Sequence, residues 1–433
     1  MVESLTRRDF LRTTAGGAAG LALAGILGDR AFAAGEKKPN IVLIMADDFG
    51  YECLGCNGSL SYKTPHLDAL AATGVRFEHC HAQPLCTPSR VKIMTGRYNS
   101  RNYIRFGLLD PKETTFAHLL KKAGYATCIV GKWQLAGGVK GPNKAGFDEY
   151  CLWQIAKKNR GKRYNNPTVT INGKRHEKMA GQYGPDVYCD HLLDFIARNK
   201  DKPFFGYYPM CLTHSPFEPT PDSKKGRGKK GRGRGNRRFA DMVAYTDKLV
   251  GRIVAKLDQL GLRENTLILF TGDNGSPQNM PTQTKNGPVR GGKSKTLDTG
   301  THVPFIANWK GTTPKGVVSD ALVDFTDMLP TFAEMVGAPA PKNIDGESLL
   351  PLLQGKQAKR RDWLFCHYDP HPGPNRTARR WARDRRWKLY GDGKLFDVAA
   401  DPREKNPVAA GTAGDAAAAR KKLGAVLDRM KGT

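Results

Sequence analysis

Asn40-Ile41-Val42-Leu43-Ile44-Met45-Ala46-Asp47-Asp48 decides how the rest of the chain is read. The apolar run is short, uninterrupted and rich in β-branched side chains, the pattern of a strand covered on both faces, and it stops at two carboxylates. Related units follow. A helix-like segment spans Pro65 to Gly74, and further apolar runs at Tyr125 to Val130 and Thr266 to Thr271 each lead into polar or glycine-containing sequence. Asp241 to Leu260 places Val243, Leu249, Ile253, Val254 and Leu257 at helical spacing just before the Thr266 strand. Alternating strands and helices predict an α/β fold with a large, mostly parallel sheet flanked by helices. In such a sheet, sites gather at the carboxyl ends of the strands.

The texture changes near residue 355. Gly355 to Arg361 is polar and basic, and short segments follow at Trp363 to Tyr368, Trp387 to Tyr390 and Lys394 to Val398, with Gly391-Asp392-Gly393 as a hairpin turn between the last two. Residues 356–433 are therefore expected to form a small antiparallel C-terminal subdomain closed by a helix from Ala416 to Met430, and 34–355 the catalytic domain.

Residues 1–33 read as an address. Thr6-Arg7-Arg8-Asp9-Phe10-Leu11-Arg12 is a twin-arginine pattern, followed by an uncharged stretch from Thr13 to Gly28 and the small-x-small cleavage site Ala31-Phe32-Ala33. The stretch is shorter than the roughly 20 apolar residues that span a bilayer, so no stable membrane span is expected. The expected location is periplasmic or secreted, in a bacterial cell, with the twin-arginine export machinery as a partner.

Lys and Arg number 69 against 41 Asp and Glu, a formal charge of +28 that concentrates anionic partners. Lys224 to Arg238, KKGRGKKGRGRGNRR, reads as a solvated, flexible insert. It has no interleaved aromatic side chain to stack on bases, so nucleic acid is not expected as a partner. The nine cysteines are an odd number, and Cys53-x-x-Cys56 lacks the second pair that a zinc site requires.

Asp47, Asp48, Asp273 and Asn274 all directly follow buried strands. Carboxylate and amide oxygens suit a hard cation such as calcium or magnesium. Leu85-Cys86-Thr87-Pro88-Ser89-Arg90-Val91-Lys92-Ile93-Met94-Thr95-Gly96-Arg97 resembles the Cys-x-Pro-Ser-Arg and Thr-Gly-Arg signature of the formylglycine-dependent sulfatases, of the alkaline-phosphatase-like superfamily. Further blocks in that family's order are Thr64-Pro65-His66-Leu67-Asp68, Gly131-Lys132-Trp133, Thr213-His214-Ser215-Pro216-Phe217, Thr271-Gly272-Asp273-Asn274-Gly275 and Arg290-Gly291-Gly292-Lys293. Lys388-Leu389-Tyr390, Leu395-Phe396-Asp397 and Asp401-Pro402 resemble its last hairpin, so the similarity covers roughly residues 38–406.

The resemblance implies a sulfuric ester hydrolase acting on sulfated saccharides or polysaccharides, or on another sulfate ester. Cys86 would be oxidised to formylglycine by a maturation enzyme. Asp47, Asp48, Asp273 and Asn274 would ligate calcium, with magnesium as the alternative, together with the residue made from Cys86. Arg90 would hold the formylglycine, Lys132 and Lys293 would bind sulfate oxygens, and His214 would protonate the leaving oxygen. A formylglycine hydrate carries two hydroxyls on one carbon, one to attack sulfur and one to release the enzyme.

The pattern departs at Gln134, where the family commonly has His, and at Asp298-Thr299-Gly300 and His302, in place of Glu-Gly-Gly and Arg. Gln134 can hydrogen-bond to substrate or formylglycine but cannot accept a proton, so another group, water, or a different substrate and pace must be involved. His302 is a further candidate contact to substrate. The rival readings are a phosphate or phosphonate ester hydrolase of the same fold and a catalytically weak binder of sulfated glycans. Substrate selectivity is expected in the loops Asn159 to Gly181, Thr220 to Arg238 and Cys366 to Arg380.

Overall fold

A computed structural model of the chain describes residues 37–155, 160–224, 232–373 and 377–431. The signal segment 1–33 lies outside these residues, as do parts of the basic insert and of the loops expected to select substrate.

The strands in chain order are β1 (Asn40–Ala46), β2 (Val75–His81), β3 (Ala126–Lys132), β4 (Glu149–Trp153), β5 (Val169–Ile171), β6 (Lys174–His176), β7 (Phe204–Pro209) and β8 (Thr266–Gly272). They continue with β9 (Pro281–Thr284), β10 (Gly287–Arg290), β11 (His302–Trp309), β12 (Val317–Asp324), β13 (Leu364–Tyr368), β14 (Arg379–Arg383), β15 (Trp387–Tyr390) and β16 (Leu395–Asp397). Ten of them form one sheet in the order β12-β2-β11-β8-β1-β7-β3-β4-β5-β6. β1 lies between β7 and β8, parallel to both, and β11 runs antiparallel between β8 and β2. The amino end of β11 therefore lies at the same edge as the carboxyl ends of its neighbours.

Alternation along β1 supplies both faces of the sheet. Ile41, Leu43 and Met45 enter one core with the helices Cys86–Thr95, Phe116–Lys122 and Met328–Met335, while Val42, Ile44 and Ala46 enter the other with Pro65–Ala72, Gly184–Arg198 and Arg232–Gln259. The last of these helices starts nine residues before the Asp241 expected from apolar spacing, inside the basic insert. Its early turns are anchored where Arg238 donates to the Phe217 carbonyl at 3.0 Å and the Phe239 ring meets Phe217 edge-on.

β13 to β16 form a four-stranded antiparallel sheet, and the helix Asp415–Arg429 packs on it through Ala416, Ala419, Leu423, Val426 and Leu427. Tyr98, from the segment after the Cys86 helix, enters the same apolar cluster, so the two sheets share a core contact. Among the described residues no helix is long and apolar enough to cross a membrane.

The helix Cys86–Thr95 is buried at every position, including Lys92, whose Nζ donates to Asp324 Oδ2 at 2.8 Å. Removing one partner of so buried a pair leaves an uncompensated charge. Asp324→Ala is expected to lower the unfolding free energy by about 3–5 kcal/mol in urea titrations, while Lys92→Met combined with Asp324→Asn should recover most of that loss. A loss below about 1 kcal/mol would show that water reaches the stranded ammonium.

Candidate active site

The carboxyl edge of the sheet brings together side chains far apart in sequence. β1 ends at Asp47 and Asp48, β8 at Asp273 and Asn274, and β3 at Lys132, while the segment after β7 carries His214. Gly272 makes this convergence possible, because a Cβ there would stand 1.9 Å from the Phe49 carbonyl oxygen. The turn after β1 can thus lie against the end of β8. The Asp48 amide donates to Asp273 Oδ1 at 3.0 Å, and Asn274 Nδ2 donates to Asp48 Oδ1 at 2.9 Å.

Three cations answer the three carboxylates. Lys132 Nζ is 2.7 Å from Asp47 Oδ2, Lys293 Nζ is 2.6 Å from Asp48 Oδ2, and Arg90 reaches Asp273 Oδ2 at 2.9 Å. Arg90 also donates to the Lys132 carbonyl at 3.2 Å, tying the ends of β8 and β3 together. Cys86 opens the helix that carries Arg90 one turn later, so the two side chains share a face, and Cys86 is 2% exposed.

The electrostatics follow from burial and pairing. Burial, reinforced by repulsion from Asp47, pushes the Asp273 carboxyl up to about 7. Burial would also raise Asp47, but Lys132, His214, Arg90 and Lys293 outweigh it and hold that carboxyl well below the usual range. Burial works against the charge on Lys293, yet Asp48 and Asp47 raise its pKa. Burial raises the Cys86 thiol. It lowers His214, against the opposing pull of Asp47 and Asp48.

His214 Nδ1 lies 2.6 Å from the Ser215 carbonyl, an acceptor, so Nδ1 carries a proton and Nε2 faces the cluster, 3.9 Å from Asp48 Oδ2. Gln134 has φ +62°, and its Oε1 is buried without a hydrogen-bond partner. His302 stands apart from the acidic cluster. Its Nδ1 pairs with Asp298 at 3.2 Å, its Nε2 meets the Glu78 carbonyl at 2.7 Å, and its ring stacks on Tyr51 and His81. Both nitrogens are engaged, which leaves it no hydrogen bond to offer a substrate.

A hard cation fits this donor set. Asp47 Oδ1 and Asn274 Oδ1 are buried acceptors without a hydrogen-bond partner, beside the remaining carboxylate oxygens. Such atoms are costly to leave unsatisfied, and oxygen donors of this kind match calcium or magnesium.

Two supports were not legible in the sequence. The Tyr164 hydroxyl donates to the carbonyls of Cys211 and His214 at 2.7 and 2.5 Å, fixing the His214 turn. Glu404 accepts from Lys388 Nζ at 2.7 Å, from the Asp298 amide at 3.0 Å and from the Tyr390 hydroxyl, holding the loop after Lys293. Only the block Lys388-Leu389-Tyr390, which resembles the family's last hairpin, hinted at the second.

The sulfatase family profile matches residues 39–338, and a profile for the C-terminal part of N-sulphoglucosamine sulphohydrolase matches 293–431. N-acetylgalactosamine-6-sulfatase of Canis lupus familiaris is 34% identical over 394 residues, covering 81% of this chain and 71% of that protein. Arylsulfatase A of Homo sapiens is 34% identical over 370 residues, covering 76% and 71%. The crystal structure of Ps i-CgsB in complex with k-i-k-neocarrahexaose superposes with a TM-score of 0.77 at 27% identity, covering 91% of this chain and 92% of that one.

If the four oxygen donors hold a divalent cation, adding calcium to chelator-treated protein at about 100 times its Kd should stabilise the fold by about 2.7 kcal/mol. Asp47→Asn and Asp273→Asn should shrink that gain in thermal or urea unfolding. Equal gains in the parent and both variants would place the cation elsewhere.

Proposed function

The chain belongs to the sulfatase family and is a sulfuric ester hydrolase, and we propose that it releases sulfate from sulfated saccharides with a formylglycine made from Cys86 and a calcium ion. Members of this family use a formylglycine and a divalent metal. The observation that carries the reading is the Arg90 to Asp273 ion pair, which docks the first turn of the Cys86 helix against the carboxylates of β1 and β8. Asp47, Asp48, Asp273 and Asn274 would hold the metal. Their complete burial favours calcium, since magnesium dehydrates reluctantly and usually keeps several waters. When bound, the cation supplies positive charge that polarises the sulfate ester, and formylglycine hydrate supplies two hydroxyls on one carbon.

The chain's own side chains do the rest. Arg90 holds the residue at position 86. Lys132 and Lys293, each already placed on a carboxylate, offer ammonium hydrogens to sulfate oxygens and favour the charge spread of the transferring group. His214, fixed through Nδ1, presents Nε2 to the departing saccharide oxygen and protonates it from the imidazolium form, which the nearby Asp47 and Asp48 favour against burial. Gln134 donates or accepts a hydrogen bond at the hydroxyls without taking a proton.

The saccharide reading is supported by the printed names of the relatives and by the formal charge of +28, which attracts a sulfated polymer. Export by the twin-arginine route to the periplasm or beyond is supported by residues 1–33 and by nine free cysteines, as expected of a chain that folds in a reducing compartment before export. A maturation enzyme acting on Cys86 is the further partner.

Peptide mass spectrometry of protein made alongside an active maturation enzyme should show Cys86 converted to formylglycine, and Cys86→Ser should fold normally with no turnover. An unmodified thiol under those conditions would falsify the covalent reading. Gln134 gives a second expectation. With no base at that position, release of phenol from an activated aryl sulfate should outrun release of sulfate, giving a burst of about one equivalent per modified site. Gln134→His should shrink the burst and raise the steady rate. A burst-free parent with a slower Gln134→His variant would mean that another base already serves.

A further inference from the structure

A second set of metal-ligating side chains lies away from the acidic edge, where the helix Gly184–Arg198 packs on β3 and β4. In the parallel register of these strands Cys128 stands opposite Glu149. Cys128 comes four residues before Lys132 at the carboxyl end of β3, roughly 13 Å along a strand, so the two sets are separate. It belongs to the same core as Leu192 and Phe195 of the helix, and His191 of that helix completes the group. Cys128 Sγ, a Glu149 carboxylate oxygen and a His191 ring nitrogen all lie within 4.8 Å of one another. His191 Nε2 is buried without a hydrogen-bond partner, 3.4 Å from Glu149 Oε1. A buried ring nitrogen left unsatisfied and aimed at a carboxylate and a thiol is an observation that packing alone does not explain.

We propose that Cys128, Glu149 and His191 bind a zinc ion, with water as the fourth ligand, and that the ion staples the helix Gly184–Arg198 to β3 and β4. The donors decide the metal. Sulfur, imidazole nitrogen and one carboxylate are a zinc set, whereas the all-oxygen group at the sheet edge suits a hard cation. As the zinc–sulfur bond forms, the Cys128 thiol gives up its proton to solvent. Glu149 and His191 are 20% and 16% exposed, which leaves a path for the ion and for one water. Arg198 is the competing cation. It donates to Glu149 Oε1 and to Asp194, each at 2.7 Å. Its side chain is about half exposed and its Nη1 already stands 3.4 Å from Glu149 Oε2, so it can pass to that oxygen when zinc takes Oε1. The staple would brace the strand whose far end carries Lys132. No spacing in the sequence shows it, because the three ligands come from two strands and a helix.

The test uses the full chain, stripped with chelator and resupplied with calcium, and then titrated with zinc or with cobalt as its spectroscopic stand-in. Zinc should bind at about one equivalent beyond calcium and raise Tm, and cobalt should give a thiolate-to-metal charge-transfer band that an all-oxygen site cannot produce. Cys128→Ala should abolish the band. His191→Gln changes a residue at the helix surface, so it keeps the fold whatever the buried cysteine tolerates, and it should weaken zinc binding at least about tenfold. Both variants should lose the zinc-dependent rise in Tm while keeping the calcium-dependent one. A parent without the thiolate band, a band that survives in Cys128→Ala, or zinc affinity unchanged in His191→Gln would each overturn the site.

Discussion

Three buried carboxylates share one sheet edge, and much of the molecule is arranged to make that tolerable. Like charges about 4 Å apart repel by roughly 4 kcal/mol even at the effective dielectric of a protein surface, and Asp47, Asp48 and Asp273 are all essentially unexposed. The counter-charges come from separate elements. Lys132 arrives on β3, Lys293 on the loop before β11, and Arg90 on the helix begun by Cys86. That helix is buried throughout because it must carry Arg90 inward, and Lys92 is carried in with it to meet Asp324. The position of Cys86 is a consequence of neutralising the acidic edge.

The same constraint explains why the C-terminal sheet belongs to the active site. Lys293 sits on an exposed-side loop, and its ammonium can face Asp48 only if the loop is held. Glu404 accepts from the Asp298 amide and from Lys388, whose ammonium also reaches the Thr296 carbonyl. Arg383 of β14 pairs with Asp298. The small sheet thereby fixes one wall of the site, while β13 fixes the turn before Cys86.

Much of this was legible in sequence. The uniformly apolar runs of β1 and β8 ending in acids identified a doubly covered sheet and its carboxyl edge, and the Cys86 segment identified the chemistry. β7, Phe-Phe-Gly-Tyr-Tyr-Pro, was missed because glycine and proline interrupt an aromatic run. β2, Val-Arg-Phe-Glu-His-Cys-His, alternates like a strand with one wetter face, and Arg76, Glu78 and His79 stay half-exposed although β11 and β12 pair with it on both edges. The helix containing Lys224 to Arg238's last residues was hidden by glycines, whose low propensity is overridden by the Phe239 contact. The segments around Tyr103 and Asp369, joined where the Tyr103 hydroxyl donates to the Pro370 carbonyl, could not be paired from sequence, because contacts between loops leave no periodic pattern.

The three departures from the family pattern differ in kind. Asp298 and His302 are one another's partners, joined by an ion pair that Arg383 completes and by stacking of His302 on His81 and Tyr51. Changing both together keeps the loop's charge and packing satisfied, which makes them a structural exchange. Gln134 has no such compensation. Its side-chain oxygen is buried beside the site without a hydrogen-bond partner, a state that costs about 1–3 kcal/mol where nothing fills it. That cost disappears once a hydrogen-bond partner reaches the oxygen, which sets Gln134 apart from the mutually paired Asp298 and His302.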